Sequence, residues 1–142
     1  MNQRHFSFFD RLIIQADQVA RTLVGKPLVT ERSNPSQEQP EAALSQTEHA
    51  LSAKLMRINH AGEVAAQALY QGQALTARLE TVRDQMATAA SEENDHLAWC
   101  EHRVKELNDH VSYANPLWYA GSFTLGAIAG LAGDKWSLGF VA

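Results

Sequence analysis

The sequence contains a single cysteine, Cys100, among its 142 residues. A disulfide framework and a thiolate zinc site within one chain are thereby excluded, and the pattern fits a reducing compartment. Basic residues are not in excess: 12 Lys and Arg stand against 16 Asp and Glu, for a formal net charge of -4. That balance leaves no footprint for nucleic acid, which favours a clustered basic face. Charged residues at 20% and a mean hydropathy of -0.29 exclude a protein made mainly of membrane spans. The N-terminus lacks a secretory apolar run because Asp10 and Asp17 interrupt it, and the same acids argue against an organellar transit peptide. What remains is a bacterial-type chain, cytoplasmic on its plain reading, with enough residues for one ordinary domain and a real core.

Helical spacing dominates what is present. In residues 5–25, Phe6, Phe9, Ile13, Ala16, Ala20 and Leu23 form an apolar stripe widened by Leu12 and Val19, with Ser7 as N-cap and Gly25 as stop. This segment reads as a docking helix over the core, or as a helix lying on a membrane surface with Phe8 and Phe9 beside Arg4 and Arg11. Residues 30–45 are rich in Pro, Ser, Gln and Glu and predict a flexible linker. No proline interrupts residues 46–79, which predict a long helix. Its stripes are Leu51, Leu55, Ile58, Ala65 and Leu69, and beside them Met56, Glu63, Ala66, Tyr70 and Ala74. Gly62 and Gly72 permit close packing there. A second long helix is predicted over 81–107, with Val82, Met86, Ala89, Glu93, Leu97, Cys100, Val104 and Leu107 as a core seam. The short connection predicts antiparallel packing of the two.

Asn115 and Pro116 predict the start of a third helix, as N-cap and first-turn proline. The eighteen residues from Pro116 to Gly133 carry no charge. As a helix that run is about 27 Å long, marginal against a bilayer core of roughly 30 Å.

One residue on the second seam does not belong in a core. An isolated carboxylate among apolar side chains is costly, so Glu93 needs a compensating cation. His96 follows at i+3, where three helical residues turn through about 300° and bring both side chains toward one point. Glu-x-x-His on one helix and a lone Glu on a facing helix are the two elements of carboxylate-bridged metal pairs, and Glu63 is the facing carboxylate. His60 reads as polar packing near the site or as a further ligand. Asp95 reads as an orienting group or a solvated acid, Tyr70 and Cys100 as core packing, and His102 and His110 as surface residues. A metal-free alternative pairs Glu93 with Arg57 or another base.

At these residues the sequence resembles the demethoxyubiquinone hydroxylases, the di-iron monooxygenases of ubiquinone biosynthesis. The matching stretches are NHAGE at 59–63 continuing VAAQALYQGQAL, SEENDHLAWC at 91–100, and NPLWYAGSFTLGAIAGLAGDKWSLGFVA at 115–142. The resemblance implies an all-α, ferritin-like antiparallel helix bundle, here its N-terminal part: an amphipathic helix within 1–29, a linker at 30–45, and a partial di-iron bundle over 46–142. It implies two iron ions held by Glu63, Glu93 and His96, with Glu93 bridging, and molecular oxygen as co-substrate with NADH as indirect electron source. The implied substrate is a prenylated demethoxyubiquinol, and the implied location is the cytoplasmic side of the cell membrane, peripherally bound. Other ubiquinone-biosynthesis proteins or a second copy are the further expected partners. The family pattern also needs a third glutamate on the next helix and a second Glu-x-x-His on a fourth; the first is expected about where the sequence stops at Ala142, and no second Glu-x-x-His follows His96. The expectation is a truncated chain whose third helix is cut at Ala142, or else two copies that pair about a two-fold axis. A ferritin-like iron-binding bundle without hydroxylase activity, or an inactive fragment, is the alternative.

Overall fold

The computed structural model describes residues 7–30 and 32–141. Expectations placed on Arg4, Phe6, Ala142 and the side chains of Phe8 and Arg11 fall outside what it describes. Among the described residues the structure is helical without strands, in the order α1 (Phe8–Leu23), α2 (Gln46–Thr76), α3 (Glu80–Glu106), α4 (Asn115–Ala132) and α5 (Asp134–Val141). The all-α expectation holds.

Local chemistry sets the boundaries. Ser7 opens α1 and Ser45 opens α2 through reciprocal capping boxes with Asp10 and Glu48. Ala77, Arg78 and Leu79 join α2 to α3, which run antiparallel, with Gln67 donating to Asn94 and Arg57 pairing with Asp109 at the far end. Leu79 supplies no side-chain cap to α3. Asp134 accepts instead from the backbone N–H groups of Arg78 at 3.0 Å and Leu79 at 2.9 Å.

Helix α4 packs on the other side of α2 and runs parallel to it. Their backbones nearly touch: a Cβ on Gly126 would stand 2.1 Å from the Leu69 carbonyl oxygen, and one on Gly72 would stand 2.2 Å from that of Phe123. The close packing expected at Gly72 is therefore present, with α4 as the neighbour, whereas the expectation for Gly62 is corrected: with nothing within 4 Å of its notional Cβ, it admits no neighbour. The third helix also differs from expectation. Ala114 is its N-cap, Asn115 lies buried within its first turn, and it ends at Gly133, whose φ of 128° only glycine adopts easily, before α5 begins. None of the described helices is long and apolar enough to cross a membrane.

The core combines apolar residues, many of them alanine and valine, with a set of buried polar ones. One cluster joins Val64, Ala68, Leu97 and Tyr119, closed by Val19 and Leu23 of α1 and by Phe123. A second holds Ala74, Ala77, Val82 and Met86, with Tyr70 against it. Between the helices lies a hydrogen-bonded polar layer. Gln67 accepts from the Thr22 hydroxyl at 2.6 Å and donates to Asn94, while Gln71 accepts from Tyr119. The apolar stripe expected on α2 is corrected accordingly: Leu51, Leu55 and Ile58 are exposed, and Gln67, Gln71 and Gln73 are buried.

Candidate metal centre

The antiparallel pairing of α2 and α3 brings Glu63 opposite Glu93 and His96. One donor atom from each of the three lies within 4.8 Å of the others. The His96 Nδ1 stands 3.0 Å from Glu93 Oε2 and 3.7 Å from Glu63 Oε2. The α3 seam explains the placement: Leu97 and Val104 face the core, and Glu93 occupies the same stripe with its side chain 16% exposed.

Two half-buried carboxylates facing each other repel. Burial, reinforced by a hydrogen bond to Glu93 and by its charge, pushes the Glu63 carboxyl up to about 7, and His96 offsets only part of this. With both carboxyls ionised, the cluster has more negative charge than one imidazole can balance. Two carboxylate oxygens and one imidazole nitrogen, converging with that surplus, form a donor set that suits a divalent transition metal such as iron. A metal ion would take as ligands the two atoms that the His96–Glu93 hydrogen bond now joins.

The other candidates sit as follows. His60 is buried with its Nδ1 3.4 Å from the Asn115 amide nitrogen, away from the three donors, and burial holds its pKa below the ordinary value. Tyr70 is half-buried, and its phenol titrates high because of burial and then of the Glu93 and Glu63 charges, so it lies within electrostatic reach of the cluster. Cys100 is raised to about 11 by burial and by Glu63. His102 and His110 are exposed. Arg57 pairs with Asp109, so the metal-free alternative loses Arg57 as the partner of Glu93. Asp95 is not a solvated acid, and its hydrogen bonds come from Thr30 rather than from a histidine. It is 1% exposed and accepts from the Thr30 backbone N–H at 2.6 Å and hydroxyl at 2.5 Å.

Sequence reasoning missed the residues that flank His96. Trp99 stands against the imidazole, with ring centroids 5.4 Å apart and planes tilted by 47°. Arg32 lies over the Trp99 ring at 5.6 Å. The i+3 step from His96 to Trp99 was a readable signal; the approach of Arg32 from another segment was not.

Comparison with known proteins gives the following. The model of the family described as "Ubiquinone biosynthesis protein COQ7" matches residues 50–142. A 3-demethoxyubiquinol 3-hydroxylase of Nitrosococcus oceani is 61% identical over 142 residues, which is 100% of this chain and 66% of the relative. Proteins of the same name from Legionella pneumophila and Acinetobacter baumannii are 58% and 56% identical, over 98% of this chain and 66% and 65% of their own lengths. The chain thus spans a little under two thirds of the curated relatives it matches. No solved structure matches.

Proposed function

The chain belongs to the ubiquinone biosynthesis protein COQ7 family, and on that premise we propose that it is part of a monooxygenase that hydroxylates a prenylated demethoxyubiquinol. Glu63, Glu93 and His96 would hold iron. The observation that carries this reading is the convergence of two mutually repelling carboxylates and an imidazole within 4.8 Å. A ferritin-like metal pair uses a Glu and a Glu-x-x-His twice over, and these residues supply one such set.

Iron in such a site supplies the activation of molecular oxygen, with reducing equivalents traceable to NADH. The chain's own part is to present the three donors together and to release the Glu63 proton. Glu63 gives up the proton that it holds below about pH 7, and the Nδ1 of His96 is freed from Glu93. Tyr70 stands between the cluster, whose charges its phenol senses, and the apolar group of Ala74, Val82 and Met86.

The substrate carries a long prenyl tail, so the protein would work at a membrane surface as a peripheral protein on the cytoplasmic side. Exposed Ile13 on α1, Leu117, Trp118, Leu125, Ile128 and Leu131 on α4, and Trp136 on α5 support that reading. Anaerobic Fe(II) titration of the protein and of Glu93→Ala tests the metal assignment: loss of iron in the variant is expected, and unchanged stoichiometry overturns it. Conversion of a demethoxyquinol under NADH and oxygen then separates a hydroxylase from an iron-binding bundle.

A further inference from the structure

The connection between α1 and α2 does not hang free of the bundle. Leaving α1, it reaches the flank of α3, where Thr30 gives Asp95 two hydrogen bonds at 2.6 and 2.5 Å. Two residues later Arg32 lies over Trp99. Further on, Glu41 pairs with Arg103, whose nitrogens stand 2.7 and 3.1 Å from its carboxylate oxygens. The grip points at Asp95 and Trp99 bracket His96 in sequence, and Trp99 itself touches the His96 ring.

We infer that Thr30 and Arg32, acting through Asp95 and Trp99, form a strap that positions the His96 imidazole, so that metal retention at the Glu63–Glu93–His96 cluster depends on it. The inference rests on the metal reading above. Its physical basis is the exposure of the imidazole. The His96 side chain is 38% exposed and is steered on one side by Glu93, leaving the ring free to swing outward unless the other side is blocked. Trp99 is that block. An indole on a helix surface has rotamers of its own, and a guanidinium over its face selects one of them. The buried Asp95 carboxylate, satisfied by Thr30, keeps the strap at the right height on α3, since an unpaired acid there would be costly. Groups that orient a metal-binding histidine commonly change metal affinity about tenfold or more when removed.

The relation is reciprocal: if the strap favours the metal-ready ring, bound metal must favour the docked strap by the same factor. The test is a Co(II) titration of the full chain, read by visible absorption, with amide hydrogen exchange of Thr30 followed with and without Co(II). Arg32→Gln alters an exposed residue and leaves folding intact; it is expected to weaken Co(II) binding about threefold. Trp99→Leu is expected to weaken it about tenfold, with Trp99→Phe and Arg32→Lys restoring most of the affinity. Co(II) is expected to slow Thr30 exchange in the wild type and to lose that effect in Trp99→Leu. Glu93→Ala is the control for the site itself. If it binds Co(II) as the wild type does, the metal reading falls. If it loses Co(II) while Arg32→Gln and Trp99→Leu bind normally and Thr30 exchange ignores the metal, the strap proposal is overturned.

Discussion

Glu63 on α2 and Glu93 on α3 face each other so closely that burial and the opposing acid push the Glu63 carboxyl up to about 7 from its ordinary 4.5. Between those values the folded chain holds a proton that the unfolded chain has released. The Glu63 contribution to stability is therefore present at low pH and is lost as pH rises through about 7. In chelator-treated protein, Glu63→Gln keeps a donor toward Glu93 and removes a charge. It is expected to raise stability at pH 8 by about 1 kcal/mol, discounted for partial exposure, while abolishing metal binding. Urea denaturation of both proteins from pH 4.5 to 8 checks this through their difference. A variant less stable than the wild type at pH 8 would contradict it.

A second expectation concerns the α2–α4 contact. The Cβ of alanine at position 126 would meet backbone, with the Leu69 carbonyl oxygen at 2.1 Å and its carbon at 3.0 Å. Neither atom is the end of a flexible side chain, so the helices must separate. Gly126→Ala is expected to cost about 3 kcal/mol. Gly121 lies on the exposed face of the same helix, with nothing within 4 Å of its notional Cβ. Gly121→Ala is expected to gain about 0.5 to 1 kcal/mol from helix propensity. Opposite shifts of the urea midpoint are the result to look for; equal losses in the two variants would mean that the close approach is not what glycine serves here.

The α3 face was legible from sequence because its spacing is regular and its buried residues are mostly apolar; Val82, Met86, Leu97, Val104 and Leu107 all lie inside. The charged exception on that seam, Glu93, then marked the site. The α2 face was not legible by the same rule. Its inner positions include Gln67, Gln71 and Gln73, polar side chains whose burial depends on partners from other helices: Thr22, Asn94, Tyr119 and the Ser137 carbonyl. Periodicity of apolar residues carries no record of such pairings. Asp95 was misread for the same reason, since its donors come from Thr30, far away in sequence.

Acid should weaken the fold through His60. Burial depresses its pKa below the ordinary 6.5, and the Glu101 and Lys105 charges, which oppose each other, leave that direction unchanged. The unfolded chain therefore takes up this proton first as pH falls. Stability from this group is full above about pH 6.5 and declines below it until the folded form also protonates. His60→Gln has no charge to acquire, so it is expected to cost a constant amount above pH 6.5 and progressively less, relative to the wild type, as pH falls to 5. Thermal denaturation of both proteins across that range measures the difference. A difference that does not change with pH would mean that His60 does not titrate differently on unfolding.

The start of α3 depends on a residue from the far end of the chain. Leu79 cannot cap the helix with its side chain, and the two Asp134 oxygens accept from Arg78 and Leu79 instead. The carboxylate also sits where the positive end of the α3 dipole favours an anion. Asp134→Ala removes both hydrogen bonds and the charge, and is expected to cost about 1 to 2 kcal/mol. Asp134→Asn keeps one acceptor oxygen and is expected to cost roughly half as much. Chemical denaturation gives the two energies, and amide exchange gives their location, with Arg78 and Leu79 losing protection before any amide near Glu93. Because Glu93 and His96 lie in the middle of the helix, their metal affinity is expected to stay at the wild-type value in Asp134→Asn. Should that affinity fall in step with stability, the end of the bundle and the metal centre would be one cooperative unit, and the cap would count as part of the site.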